Sequence, residues 1–135
     1  MNSSEEKDQI RDVLSNYCFY TDGGYPDRWV DLFTDDCQWD GGPFGLCASK
    51  QELRAFMKQS GAAGIGMKHM TTNIVIRLEG AQARARSYVL VLGKADQWNS
   101  ILFAGHYDDV LVKTDGRWLI RSRKLRSDLS EFEIS

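Results

Sequence analysis

Histidine is scarce in this 135-residue chain, cysteine is sparse, and a long apolar run is missing. Each shortage excludes something. The three cysteines, Cys18, Cys37 and Cys47, are odd in number and lack C-x-x-C spacing, which argues against a disulfide framework or a zinc site. The two histidines, His69 and His106, lie far apart in sequence, which argues against a metal centre. No stretch could span a bilayer and the N-terminus has no signal-peptide pattern, so a cytoplasmic protein without membrane attachment is expected. A net charge of -2 and a pI near 5.7 offer no electrostatic basis for binding nucleic acid. No repeat, linker or low-complexity segment divides the chain, so residues 1–135 read as one domain.

What is present is globular: 42% of residues are apolar and 27% charged, with four tryptophans. Ser3-Ser4-Glu5-Glu6 has the form of a capping box, with its acids favourably placed in a first helical turn. Ile10, Val13, Leu14 and Tyr17 follow at helical spacing, and Asp22-Gly23-Gly24 predicts a turn after the helix ends near Tyr20. Pro26 suits the start of a second short helix with Trp29, Leu32 and Phe33 on its apolar side. "CQWD" reads as a brief strand and "GGPFG" as a loop. Ser49-Lys50-Gln51-Glu52 is a second capping box, opening a helix that buries Leu53, Phe56 and Met57 and ends at the glycines 61, 64 and 66. Strands then follow over 68–78 and 82–92, through "SILFAGHYDDVLVK", and through "WLIRSRKLR" after the turn "TDGR". Helices first and a meander second predict an α+β domain, with helices on one face of a curved antiparallel sheet. Arg84 and Arg86 alternate on one strand, and Arg117, Arg121, Arg123 and Arg126 cluster late; most suit a solvated face, though one could serve a pocket.

The stretch "GMKHMTTNIVIRLEG" holds His69. Its even positions from Met70 to Leu78 form a mostly apolar face, so strict alternation sends His69, Thr71 and Asn73 to the other side. His69 is either a half-buried histidine with a hydrogen-bond partner or a base that needs a carboxylate to orient it. Asp22 is the leading carboxylate. It is either a helix-terminal turn residue or the acceptor of the Nδ1 proton, which would leave Nε2 free as a base. Asp35, Asp36 and Asp40 are alternatives that look like loop residues.

Taken with the order of elements, these residues resemble the nuclear transport factor 2-like superfamily. The closer resemblance is to its SnoaL-like branch, which contains the lindane dehydrochlorinases and scytalone dehydratases. Asp22 and "HMTTN", His69 to Asn73, match the aspartate and the His-x-x-x-Asn strand of the dehydrochlorinase dyad. "DDCQWDG" matches a segment that gives the pocket a tryptophan, here Trp39. Counting on from "DGRW", Arg123 falls where the family has a pocket arginine. The resemblance implies a cone-shaped sheet with the N-terminal helices on its concave face. One position departs: where the dehydrochlorinase has a pocket lysine, this chain has Tyr17, suited to hydrogen-bonding a carbonyl or hydroxyl as well as to packing in the core. That shifts the expected reaction from loss of halide toward loss of water.

The resemblance therefore implies a cofactor-independent lyase acting on a small hydrophobic cyclic hydroxy or keto compound. Asp22 and His69 would be the base pair, with Tyr17 and Arg123 stabilising developing charge. Trp39, Tyr20, Asn73, Phe44, Phe103 and His106 are the expected substrate contacts, with Leu46 and Met67 as further wall candidates. A ketosteroid-type isomerase, a polyketide cyclase or a non-catalytic binding module would use the same frame. A homodimer or homotrimer is expected, with Ile74, Ile76, Val89, Val91, Val110 and Val112 supplying apolar strand surface for the contact.

Overall fold

The first helix begins one residue earlier than its capping box predicts. In the computed structural model, which describes residues 2–60, 66–95 and 98–128, Asn2 is the N-cap and its Oδ1 accepts from the Glu5 backbone N–H at 2.9 Å. This helix, α1, spans Ser3–Gly23. It stops because Gly24 adopts the left-handed conformation, φ 71°, and returns its N–H to the carbonyls of the last turn. Asp22 thus lies inside the last helical turn, not in a turn beyond it. The helix α2 spans Pro26–Val30, opened by its proline as expected, and buries Trp29 and Val30. The helix α3 spans Lys50–Ser60. Ser49 Oγ accepts from Glu52 N at 3.1 Å, and the Glu52 carboxylate accepts from Ala48 N at 2.6 Å. The capping box is real but reaches one residue further back. Gly61 and Gly64, expected to end this helix, lie outside the described residues.

The strands are β1 (Phe33–Asp40), β2 (Leu46–Cys47), β3 (Lys68–Glu79), β4 (Gln82–Ala95), β5 (Trp98–Thr114) and β6 (Arg117–Ser127), with one 3-10 turn at Gly42–Phe44. They form one curved six-stranded sheet in the order β2-β1-β6-β5-β4-β3. The fold is α+β as expected, but the sheet is mixed rather than antiparallel. β1 runs parallel to β6, with Trp39 beside Arg123 and Asp40 beside Lys124. Tight turns at Gly80-Ala81 and Asp115-Gly116 force the strands that flank them to run antiparallel, whereas β1 reaches β6 only through most of the chain and escapes that constraint.

The helices pack on one face, and the core joins Ile10, Leu14, Tyr17 and Cys18 of α1 to Trp29, Phe33, Leu53, Val89, Leu111 and Ile120. Near its start α1 is tied down by Glu6, which accepts from Lys113 Nζ at 2.6 Å and from Trp118 Nε1.

The pairing of β3 with β4 shifts between Thr72 and Val75, and Asn73 there has φ 55°. This bulge inserts one residue and exchanges the faces. Before it His69 and Thr71 face inward, and after it Ile74, Ile76 and Leu78 do. The alternation predicted through the whole strand therefore holds only in halves. It also reverses part of the expected contact surface: Ile76, Val89 and Val91 belong to the core and Ile74 packs against it. The outer face instead exposes Met70, Val75 and Tyr88.

Candidate active site

The last turn of α1 lies against the start of β3, and two bonds join them through one carboxylate. Asp22 Oδ1 is 2.6 Å from His69 Nδ1, and Asp22 Oδ2 accepts from the His69 backbone N–H at 2.9 Å. One turn earlier on the helix, Cys18 Sγ meets Thr71 Oγ1 at 3.2 Å, so the seam has a second rung two residues along the strand. The Asp22 and His69 side chains are only 12% and 15% exposed, which limits competition from water. With Oδ2 committed to a backbone donor, Oδ1 is aligned to accept the Nδ1 proton. Nε2, on the opposite edge of the ring, is then the unprotonated nitrogen. The C-terminal end of α1 carries partial negative charge, so a carboxylate sits there at some cost.

His69 lines a cavity of about 330 Å³ whose other walls are mostly aromatic and aliphatic: Tyr17, Trp29, Trp39, Phe44, Phe56, Met57, Met67, Val91, Leu102, Phe103, Tyr107 and Leu125. Thr21 and Ser60 add hydroxyls. The size suits one ring-sized ligand. Trp39 Nε1 donates to Tyr17 Oη at 3.0 Å, and the tyrosine's own proton has no acceptor among the described residues. Burial pushes the Tyr17 hydroxyl above the ordinary tyrosine value, with the Arg123 charge as the largest opposing influence. Gly41 makes room for the indole, since a Cβ there would lie 2.2 Å from Trp39 Cη2. Phe44 and Phe103 meet edge to face at 5.6 Å, and Phe44 is half exposed, which puts this pair at the rim.

Of the residues expected to form the site, Asp22, His69, Tyr17, Trp39, Phe44, Phe103 and Met67 are brought together. The rest lie elsewhere. Arg123 is completely buried, but it does not line the cavity; it is held by Asp109 and stacked on Tyr17 and Tyr107. Tyr20 belongs to a different stripe of α1, with Gln9, Val13 and Asn16, and meets Tyr25 edge to face. The bulge turns Asn73 out to the opposite face of the sheet. His106 is on that face as well, with Nδ1 2.9 Å from Asp128 Oδ1. Leu46 is 76% exposed and outside the cavity. Unforeseen as site residues were Thr21, one helical turn beyond Tyr17, and Tyr107, Trp29, Phe56 and Met57. Among the described residues, no three His, Cys, Asp or Glu side chains are grouped as metal ligands.

Three helices laid into a curved six-stranded sheet, with an imidazole–carboxylate pair in the wall of an apolar cavity, are the α+β architecture of the nuclear transport factor 2-like superfamily. Within that superfamily the chain belongs to the SnoaL-like domain family, whose model matches residues 2–124. It is similar to the anthranilate 1,2-dioxygenase small subunit of Burkholderia cepacia, 24% identical, over 93% of this chain and 88% of the relative. A protein of unknown function from Mycobacterium tuberculosis superimposes with a TM-score of 0.86 and 26% identity, covering 93% of this chain and 78% of the other. A protein provisionally named scytalone dehydratase, from Novosphingobium aromaticivorans, gives 0.80 and 26%, covering 90% and 83% of the two chains.

Proposed function

We propose that this protein is a cofactor-independent lyase that removes water from a small cyclic compound bearing a carbonyl and a β-hydroxyl, by β-elimination. The observation that carries the reading is the 2.6 Å contact of Asp22 with His69 Nδ1 in the wall of an apolar cavity. His69 Nε2 takes a proton from the carbon next to a carbonyl, and Asp22 holds the tautomer and stabilises the imidazolium as it forms. Tyr17 donates a hydrogen bond from its free hydroxyl to the oxygen on which charge develops. The leaving hydroxyl departs as water after receiving the proton from the imidazolium, which restores the neutral base. The aromatic walls exclude solvent and hold the ring. The likeness to a protein named for dehydration supports this choice.

An isomerase or cyclase would share the first proton transfer. The test is therefore made in deuterated water, incubating the protein with hydroxy-substituted ring ketones and following both α-proton exchange and product by NMR. Exchange with elimination, lost in His69→Gln, supports the reading. Exchange with a shifted double bond supports the isomerase. Neither process with any ring ketone overturns the assignment of His69 as a base.

A second reading, an assembly subunit without its own chemistry, draws on the likeness to a dioxygenase small subunit. Self-association fits either reading, and Met70, Val75 and Tyr88 on the outer sheet face are its proposed contact residues.

A further inference from the structure

The proposed chemistry gives no task to Arg123 or Asp109, two charged side chains that are buried without lining the cavity. Desolvation largely offsets the attraction within such a pair, so stability alone accounts for it poorly. They are direct partners across β5 and β6. Arg123 Nε and Nη2 donate to the two Asp109 oxygens at 2.8 and 3.0 Å, a fork that fixes the plane of the guanidinium. Its Cζ then lies 3.6 Å from the Tyr107 ring centroid and 4.2 Å from that of Tyr17. Nη1 is buried with no hydrogen-bond partner among the described residues. Tyr17 is thus polarised twice: Trp39 donates to its oxygen, and a desolvated cation stacks on its ring.

We infer that Arg123 is a positioning residue acting through Tyr17. Its buried charge makes the Tyr17 hydroxyl a stronger donor toward a ligand oxygen, so the cavity favours rings bearing a carbonyl or phenolate-type oxygen over hydrocarbon or halogenated rings of the same size. The inference rests on the proposed orientation of Tyr17 toward the ligand. Burial raises the Tyr17 hydroxyl above its ordinary value, and the Arg123 charge is the main influence that works against that rise. Asp109 supplies the plane and Tyr107 the second face of the sandwich, and neither needs to touch the ligand.

The test uses 4-nitrophenolate as the oxyanion probe and nitrobenzene as the neutral ring of matching shape, with affinities measured by calorimetry. The wild-type protein is expected to prefer the phenolate. Arg123→Met should weaken phenolate binding about tenfold or more while changing nitrobenzene binding by less than about twofold. Arg123→Lys, which keeps the charge but loses the fork, should fall between. Tyr17→Phe should give the same phenolate loss, and Arg123→Met should add little in that background. Because Arg123→Met strands the Asp109 charge, the pair Arg123→Met with Asp109→Asn serves if the single variant does not fold. Equal losses for both probes, full additivity with Tyr17→Phe, or no phenolate preference in the wild type each overturn the inference. The probes are not turned over, and the contrast should persist in His69→Gln, so failure of the lyase reading is separately visible.

Discussion

Replacing Asp22 by asparagine separates two jobs that one carboxylate performs. Oδ2 accepts from the His69 backbone N–H and Oδ1 accepts from Nδ1. Asparagine has one acceptor and one donor end, and the backbone N–H can only donate. The amide oxygen is therefore drawn to the backbone and its NH₂ is turned toward Nδ1. A donor at that position stabilises the tautomer with the proton on Nε2, which cannot act as a base. The loss should approach the whole contribution of a placed general base, ~10²–10⁴-fold in kcat, with KM little changed. The stability cost should be smaller. A hydrogen bond to a charged group contributes ~1.5–3 kcal/mol, and removing an acid from a helix C-terminus returns ~0.3–1 kcal/mol, leaving roughly 1–2 kcal/mol. Asp22→Ala forfeits both bonds and should be the less stable of the two, yet no less active, because its ring is free to choose a tautomer. Nitrogen-15 chemical shifts of the His69 ring, kcat on a responsive ring ketone and urea unfolding together check this ordering. An Asp22→Asn protein with the proton still on Nδ1 and turnover near wild type would refute the reasoning.

His69→Gln should lower kcat by at least ~10²-fold in a folded protein, and combining it with Asp22→Asn should add little, since both disable one step; a double-mutant cycle measures this. Glu6 has its carboxyl held below the ordinary value, chiefly by the hydrogen bond from Lys113. That contribution to stability is complete above the ordinary carboxylate value of ~4.3 and is lost as pH falls through the lower folded value. Glu6→Gln should flatten the thermal midpoint between pH 5 and the acid limit of folding, as followed by circular dichroism with pH values of about 5, 4 and 3. Asn73, at φ 55°, should tolerate glycine, while Asn73→Val should cost ~1–2 kcal/mol in urea unfolding by disfavouring the left-handed conformation. Sedimentation velocity at micromolar concentration should show a species larger than the monomer, and Val75→Glu with Tyr88→Glu should dissociate it; a wild-type monomer counts against the outer face as a contact surface.

The helices were legible because their apolar spacing and caps are local signals: α1 starts one residue earlier than its capping box predicts and runs on to Gly23, while α2 stops at Val30, short of the Leu32 and Phe33 assigned to it. Asp22 with His69 was legible through resemblance, although the turn signal of Gly23-Gly24 put the helix end too early. Asn73 was misplaced for a physical reason: alternation carries through a strand only while the pairing register holds, and one inserted residue exchanges the faces. Tyr20 failed by helix geometry, since it continues the stripe of Gln9, Val13 and Asn16 while Tyr17 and Thr21 share the cavity stripe. Arg123 was singled out by resemblance, but its partner Asp109 was illegible because no local signal links the two residues. Only the pairing of β5 with β6 reveals that both turn inward to meet each other.

β3 ends the sheet, and its outer side would otherwise present unpaired backbone donors to any passing strand. At His69 that donor is already taken by Asp22, and α1 lies along the same margin through Cys18 and Thr71. The carboxylate that orients the base therefore also blocks edge-to-edge addition of a foreign strand. A substitution that leaves no acceptor there, such as Asp22→Ala, uncovers a template for β-pairing together with the chemical defect, so it carries an aggregation liability that Asp22→Asn and changes at the His69 ring, which leave the backbone contact in place, do not.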